Sequence, residues 1–205
     1  DGIGSGIKAN IDATMAISRF LELMRRDFSL RQTFGRLVQT MHQVRGSDLP
    51  YAVFTAARIL TDGEATVLTY DMPNPLLVSR HSVSVVPGRT FPLENEVITE
   101  TNLFLEPGEG LLMFSDGVSQ AGLGATLRTG WGVEGVLRYT GDLLAQGVPI
   151  GNLPQMVHDR ARHFWKGTGG DDCSVVGALC RVGNRVNIFS GPPIDRELDI
   201  PLAQK

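Results

Sequence analysis

Apolar residues at Ile11, Met15, Ile17, Phe20, Leu21, Leu23 and Met24 recur at close to helical spacing. The pattern predicts a helix over residues 7–26 whose wide apolar stripe packs mainly into a core. Ser29 stands where an N-cap belongs, ahead of Phe34, Leu37, Val38 and Met41, so a second helix is expected over residues 30–44, with Gly46 as its stop signal. From Tyr51 the period changes. Residues 51–60 read as a strand, Asp62-Gly63 as a plain hairpin turn, and residues 65–70 as the strand that pairs back. The prolines of Met72-Pro73-Asn74-Pro75 remove two backbone donors and make that segment a loop. Short strands are expected at 76–79 and 83–86, with the proline-containing, acidic residues 88–100 connecting them to Leu103-Phe104-Leu105. Residues 110–114 are an unbroken apolar run, which reads as a strand buried on both faces, and it is followed by Asp116-Gly117. Residues 121–130 are glycine-rich and expected to be loose; helices follow at 132–146 and 153–166. Strands at 174–181 and 185–190, joined by a two-residue turn at Gly183-Asn184, close the pattern. A helix pair, strands, a second helix pair and more strands is not the alternation of a parallel sheet. It predicts an α+β fold of antiparallel sheets covered by paired helices.

Composition narrows the picture. With 205 residues, one domain can bury about 70% of its unfolded surface, so a single domain over 1–190 is expected, followed by a charged tail at 191–205. A net charge of −3 with scattered basic residues offers no surface for nucleic acid or another polyanion. No run is long enough to span a bilayer and no signal-peptide pattern is present, which makes a cytoplasmic location the expectation. Cys173 and Cys180 lie in an apolar run without CxxC spacing and are read as buried thiols. His42, His81, His158 and His163 have no mutual metal spacing and are assigned surface or packing roles.

The candidate chemistry lies in three carboxylates. The chain opens Asp1-Gly2-Ile3-Gly4-Ser5-Gly6; Asp116-Gly117 ends a buried strand; and Gly169-Gly170-Asp171-Asp172 leads into another apolar run. Taken singly, each fits a turn. Jointly they place carboxylates at strand ends that can converge, and crowded carboxylates ionise together only when cations neutralise them. Oxygen donors without clustered His or Cys suit Mg²⁺ or Mn²⁺ rather than zinc. Two such ions sharing a ligand can activate a bridging water for in-line attack on a phosphoryl group, without a protein nucleophile. Asp1 is the natural bridging ligand, with the Gly2 backbone beside it. No G-x-S-x-G elbow surrounds Ser115 or Ser119, so serine-hydrolase chemistry has no support.

These motifs, Asp1 to Gly6, Leu112-Met113-Phe114-Ser115-Asp116-Gly117-Val118 and Gly170-Asp171-Asp172-Cys173-Ser174-Val175-Val176, resemble in order those of the metal-dependent protein phosphatases. The resemblance covers residues 1 to about 182. It is strongest to the bacterial branch that holds the stage II sporulation protein E phosphatase and regulators of general-stress sigma factors. It implies a β-sandwich flanked by helix pairs and dephosphorylation of phosphoserine or phosphothreonine in a protein, with small anti-sigma-factor antagonists as the usual substrates. It implies that Asp1 bridges two Mn²⁺ or Mg²⁺ ions, that the Gly2 carbonyl binds one, and that Asp116 and Asp171 complete the second site, with Asp172 the weaker neighbour. It further implies a metal-ligand aspartate on a strand preceding Asp1, and strands there that pair with residues 51–70. The helix pair after Asp1 is expected to link a partner or sensor to the metal site. The loop at Met72-Pro73-Asn74-Pro75 lacks the histidine that relatives often carry and is read as structural. Two other readings compete: a pseudophosphatase of the same fold that binds a partner or senses metal, and an interaction domain whose Asp-Gly pairs are all turns.

Overall fold

The computed structural model describes residues 2, 7–45, 52–93, 96–124, 126–166, 171–181 and 185–191. Among the described residues the α-helices are α1 (Ile7–Met24), α2 (Leu30–Arg45), α3 (Asp116–Ser119), α4 (Gly132–Ala145) and α5 (Leu153–Phe164). The strands among them are β1 (Phe54–Ile59), β2 (Glu64–Tyr70), β3 (Leu76–Val78), β4 (Val83–Val85), β5 (Arg89–Leu93), β6 (Glu96–Phe104), β7 (Gly110–Phe114), β8 (Val175–Arg181) and β9 (Arg185–Gly191). They form a four-stranded sheet in the order β1-β2-β6-β5 and a five-stranded sheet in the order β4-β3-β7-β8-β9. The fold is α+β with two antiparallel sheets, as the hydrophobic pattern predicts. The chain divides into two compact units: Asp1–Arg58 with Val67–Met72 and Arg89–Glu100, and Ile59–Thr66 with Pro73–Gly88 and Thr101–Lys205.

In the first unit, α2 starts with a reciprocal cap. Ser29 Oγ accepts from Gln32 N–H at 3.2 Å and Gln32 Oε1 accepts from Ser29 N–H at 3.0 Å, which satisfies two helix-end donors at once. Its apolar face, Leu30, Phe34 and Val38, packs against Ala56, Leu68, Tyr70 and Ile98, and the Phe34 and Phe54 rings lie 4.4 Å apart. Arg31 closes the rim by donating from Nε to Glu100 Oε2 at 2.9 Å while its guanidinium lies over Phe91. The stripe of α1 departs from expectation. Leu23 is buried and Phe20 packs on the core, but Ile11, Met15, Ile17 and Leu21 face outward, each about half exposed or more. The inward seam is Ala9, Ala16 and Leu23, seven residues apart, where small side chains let α1 come close to its neighbours.

Residues 88–100, expected as a connection, instead hold β5 and the first half of β6, paired antiparallel from Arg89↔Glu100 to Leu93↔Glu96. Pro92 pairs with Val97 inside this ladder and is tolerated because β5 lies at a sheet edge, where a missing N–H costs no inter-strand bond. Tyr70 is 2% exposed, and burial pushes its phenol above the usual range, reinforced by the Glu96 and Asp71 carboxylates. A raised folded pKa means that the unfolded chain releases this proton first, so the stability tied to it holds below about pH 10 and is lost as pH rises beyond. Denaturant midpoints should therefore fall between about pH 9 and pH 11, and fall less in Tyr70→Phe. An equal fall in both proteins would remove Tyr70 as the cause.

In the second unit, Asp62-Gly63 makes the expected hairpin: Gly63 has φ +100° and Glu64 N–H donates to Asp62 Oδ1 at 3.0 Å. Strand β7 is central in its sheet, with Leu111 and Leu112 buried as a strand covered on both faces requires. Leu76, Val78, Leu112, Phe114 and Val175 meet Val136, Leu143 and Leu144 of α4 and Leu153, Val157 and Ala161 of α5 in one core. The glycine-rich stretch after α3 is closed by backbone bonds, among them Leu127 N–H to Gly122 O at 2.9 Å and Gly124 N–H to Leu127 O at 3.1 Å. The Gly46 stop, the Gly183-Asn184 turn and the tail after Gly191 lie outside the described residues.

Candidate functional site

The β7–β8 register carries the site. The ladder pairs Phe114 with Val175 and then extends by one step, in which Ser115 N–H donates to Ser174 O at 2.9 Å. The Ser115 side chain completes the join: Oγ donates to Asp172 O at 2.9 Å and accepts from Ser174 N–H at 3.0 Å. Ser115 is 7% exposed and has both roles of its hydroxyl satisfied. The chain segments that bear Asp116 and Asp171-Asp172 are thus tied together where the two strands end.

Asp116 does not sit in a simple turn; it opens α3, a four-residue helix. Its carboxylate is oriented from within that helix and its exit. Oδ1 accepts from Gly117 N–H and Oδ2 from Gln120 Nε2, both at 3.0 Å, while Ser119 Oγ donates to the Asp116 carbonyl at 3.0 Å. Gly117 provides the close approach that its place in the motif suggests. A Cβ there would overlap the Asp172 carbonyl oxygen and lie 3.0 Å from its carbon and 3.3 Å from Asp171 Cβ. Asp171 therefore packs beside the Asp116-Gly117 peptide, with Oδ1 accepting from Asp172 N–H at 2.9 Å. Asp171 and Asp172 are exposed and Asp116 is half-buried. The Gly117 carbonyl accepts from Trp165 Nε1 at 2.9 Å and from Cys173 Sγ at 3.3 Å. Burial pushes the Cys173 thiol up to about 11, so it keeps the proton that this bond needs.

The segments that carry two of the sequence-predicted residues, Asp116 and Asp171, are brought together, Asp171 beside Gly117. Asp1 lies outside the described residues. Gly2 is described in the first unit, bridged antiparallel to Ala52 and so close to Ala9 that a side chain there would collide with its carbonyl. His81 and His163 are exposed and His158 is buried, with Nδ1 3.4 Å from Asp159 Oδ1; the His42 side chain is not described. Both cysteines are free thiols; Cys180 is buried within β8 as expected, whereas Cys173, just ahead of that strand, is only half-buried. Sequence reasoning missed three contributors: the Ser115 clamp, Gln120 as the orienter of Asp116, and Trp165. Gln120 was findable, because it lies four residues after Asp116, one helical turn on. Trp165 carried no such signal.

The Stage II sporulation protein E (SpoIIE) family matches residues 1–180. The chain belongs to the SpoIIE family. The family is one of PP2C-like phosphatase domains, and SpoIIE phosphatase domains are among the solved structures that the chain resembles. The PP2C phosphatase domain with a regulatory-domain fragment of SpoIIE from Bacillus subtilis superposes with a TM-score of 0.70 at 18% identity over 94% of this chain and 54% of that one. The RsbU and RsbW domains of Rv1364c from Mycobacterium tuberculosis give a TM-score of 0.67 at 18% identity, covering 95% of this chain and 51% of that one. A manganese-presoaked SpoIIE phosphatase domain from Bacillus subtilis gives 0.56 at 14% identity, covering 89% and 77%. The chain thus spans about half the length of two of these three structures. No curated protein matches. No helix among the described residues is long and apolar enough to cross a membrane.

The donor set of this SpoIIE-family site fits a hard cation. An ionised carboxylate offers about four lone-pair positions, so a carboxylate that accepts hydrogen bonds as Asp116 and Asp171 do can also ligate a cation. Among the described residues no group of three His, Cys, Asp or Glu side chains could hold a metal ion, so a cation held by Asp116 and Asp171 would need a further oxygen donor.

Proposed function

We propose that this chain is a Mn²⁺- or Mg²⁺-dependent phosphatase of phosphoserine or phosphothreonine in proteins, working in bacterial signalling. One observation supports the reading: in a SpoIIE-family chain, Asp171 packs beside Gly117, the residue that follows Asp116, at a junction whose backbone is fixed by Ser115. Asp116 and Asp171 would hold the cation. Asp1 and the Gly2 carbonyl stay in the proposal on the strength of their motif alone, and Asp172 has the weaker claim because only its backbone is engaged in the junction. A bound divalent pair supplies charge neutralisation for a phosphoryl group and a water acidic enough to attack near neutral pH. The chain's own residues do the positioning: Gln120 and the Gly117 N–H aim the Asp116 carboxylate, and the exposure of Asp171 leaves the junction open to a protein substrate. The neighbourhood of RsbU and RsbW domains and of SpoIIE supports a regulatory phosphoprotein as substrate, with a small anti-sigma-factor antagonist as the specific candidate.

The test is hydrolysis of a phosphoserine peptide and of a chromogenic phosphate ester, with Mn²⁺ and with EDTA. Turnover that needs the metal is expected. Mn²⁺ binding without turnover would favour a metal-sensing or partner-binding pseudophosphatase, and neither binding nor turnover would return the Asp-Gly pairs to plain turns.

A further inference from the structure

Helix α3 cannot hold its own shape. Four residues give it a single full helical bond, Gln120 N–H to Asp116 O at 2.7 Å, and so short a helix is far below the length at which helices persist alone. The next bond of the ladder is not made. Ala121 N–H turns to Val118 O at 3.3 Å, three residues back, which leaves the Gly117 carbonyl without its helical partner. That carbonyl is buried and must be satisfied from elsewhere. Its shortest bond comes from the residue just past the end of α5, the Trp165 indole N–H at 2.9 Å, with Cys173 Sγ a longer and weaker donor at 3.3 Å.

We infer that Trp165 is a positioning residue for the metal-binding carboxylate: its indole N–H holds the Gly117 carbonyl and so fixes the turn that presents Asp116 to a cation. Two anchors then define that turn. On the entry side, Ser115 ties it to Asp172 and Ser174; on the exit side, Trp165 ties it to α5. The Asp116 carboxylate sits between them, and its orienting donors, Gly117 N–H and Gln120 Nε2, belong to the same turn. If the exit anchor is lost, the Gly117-Val118 peptide that carries this carbonyl is free to rotate about the Gly117 Cα, and the turn that holds the Gly117 N–H loosens with it. The Gly117 N–H then no longer points reliably at Oδ1, and a pre-aimed ligand becomes one that the ion must order on binding. Groups that orient metal ligands typically change metal affinity by about 10–100-fold when removed, and Trp165 acts one residue away from the ligand, so the lower end is expected.

This inference rests on Asp116 being a metal ligand, and its test separates the two ideas. Mn²⁺ affinity is measured by calorimetry and by electron paramagnetic resonance of free Mn²⁺, in the wild-type chain and in Trp165→Phe, which keeps an aromatic ring but removes the N–H. The expected result is roughly tenfold weaker binding in the variant. Lower thermal stability with unchanged Mn²⁺ affinity would make Trp165 merely structural and overturn the inference. Wild-type protein that binds no Mn²⁺ would overturn the metal assignment together with it. A second measurement needs no variant beyond assignment of the signal: the Trp165 indole N–H resonance of the wild-type chain, followed while Mg²⁺ is added. A shift that saturates with Mg²⁺ binding is expected; a resonance that stays still while Mg²⁺ binds would overturn the coupling even if Trp165→Phe failed to fold.

Discussion

Asp116→Asn should lower Mn²⁺-dependent hydrolysis of a phosphate ester by at least about a hundredfold, since removing a group that merely orients a metal ligand already costs up to that much. The substitution is nearly isosteric, which makes the result informative. Asn offers one carbonyl oxygen where Asp offers two anionic ones. It can satisfy the Gly117 N–H or the Gln120 amide, both 3.0 Å from the present oxygens, but not both in the same way, and it brings no charge to a cation. Fold stability should change little, because the Ser115 clamp and the strand register lie outside the substituted group. Kinetics over a Mn²⁺ titration, with thermal unfolding measured beside it, would check this. Activity within a few-fold of wild type at every Mn²⁺ concentration would remove Asp116 from the site.

The second large effect is expected from a single methyl group. Gly117→Ala should destabilise the protein by about 1–3 kcal/mol, the usual cost of forcing extra volume into a packed site, and should disable the site as well. At an ordinary helical position the sign is opposite, since Ala favours the helix over Gly by about 1 kcal/mol. Gly117 does not need a left-handed backbone; the obstacle is steric, with its missing Cβ directed at the Asp172 carbonyl and the Asp171 side chain. Gly141, within α4, is the control. A Cβ there would lie 3.5 Å from Val83 Cγ1, an ordinary contact, so Gly141→Ala should raise stability slightly. Denaturant unfolding of the two variants would show midpoints moving in opposite directions. A Gly117→Ala midpoint at or above that of the wild type would mean that the junction of β7 and β8 is looser than described.

The elements with strong periodicity were legible from residues alone. The stripe Phe34, Leu37, Val38 and Met41 is buried throughout, and Ser29 is the cap that its position implies. The apolar run before Asp116 is the central strand of its sheet. Two misreadings have physical causes. Pro92 and its acidic neighbours argued against a strand, because propensity counts a lost donor without knowing that the strand is at an edge. On α1, periodicity located the helix and part of its inward face, Phe20, Leu23 and Met24, but bulky Ile11, Met15 and Ile17 suggested a core seam that Ala9 and Ala16 occupy instead, since close approach is decided by the neighbour and not by the helix. At the β7–β8 junction, the nearness of the segments that carry Asp116 and Asp171 was legible because strand ends deliver residues predictably. Ser115, Gln120 and Trp165 were not, because a clamp, an orienter and an anchor act through contacts across 57, 4 and 48 residues of chain, and only the 4-residue spacing leaves a local mark.

Pro92 has a further consequence, for the company this protein keeps. Sheet edges recruit other chains by offering an unpaired row of donors and acceptors, and that is how misassembly between folded molecules starts. An incoming strand laid along β5 would find a gap in the row of donors at the fourth residue of a five-residue edge, with the ring in its way. The same residue that disguises the strand in the sequence leaves that margin of the four-stranded sheet a poor template for growth.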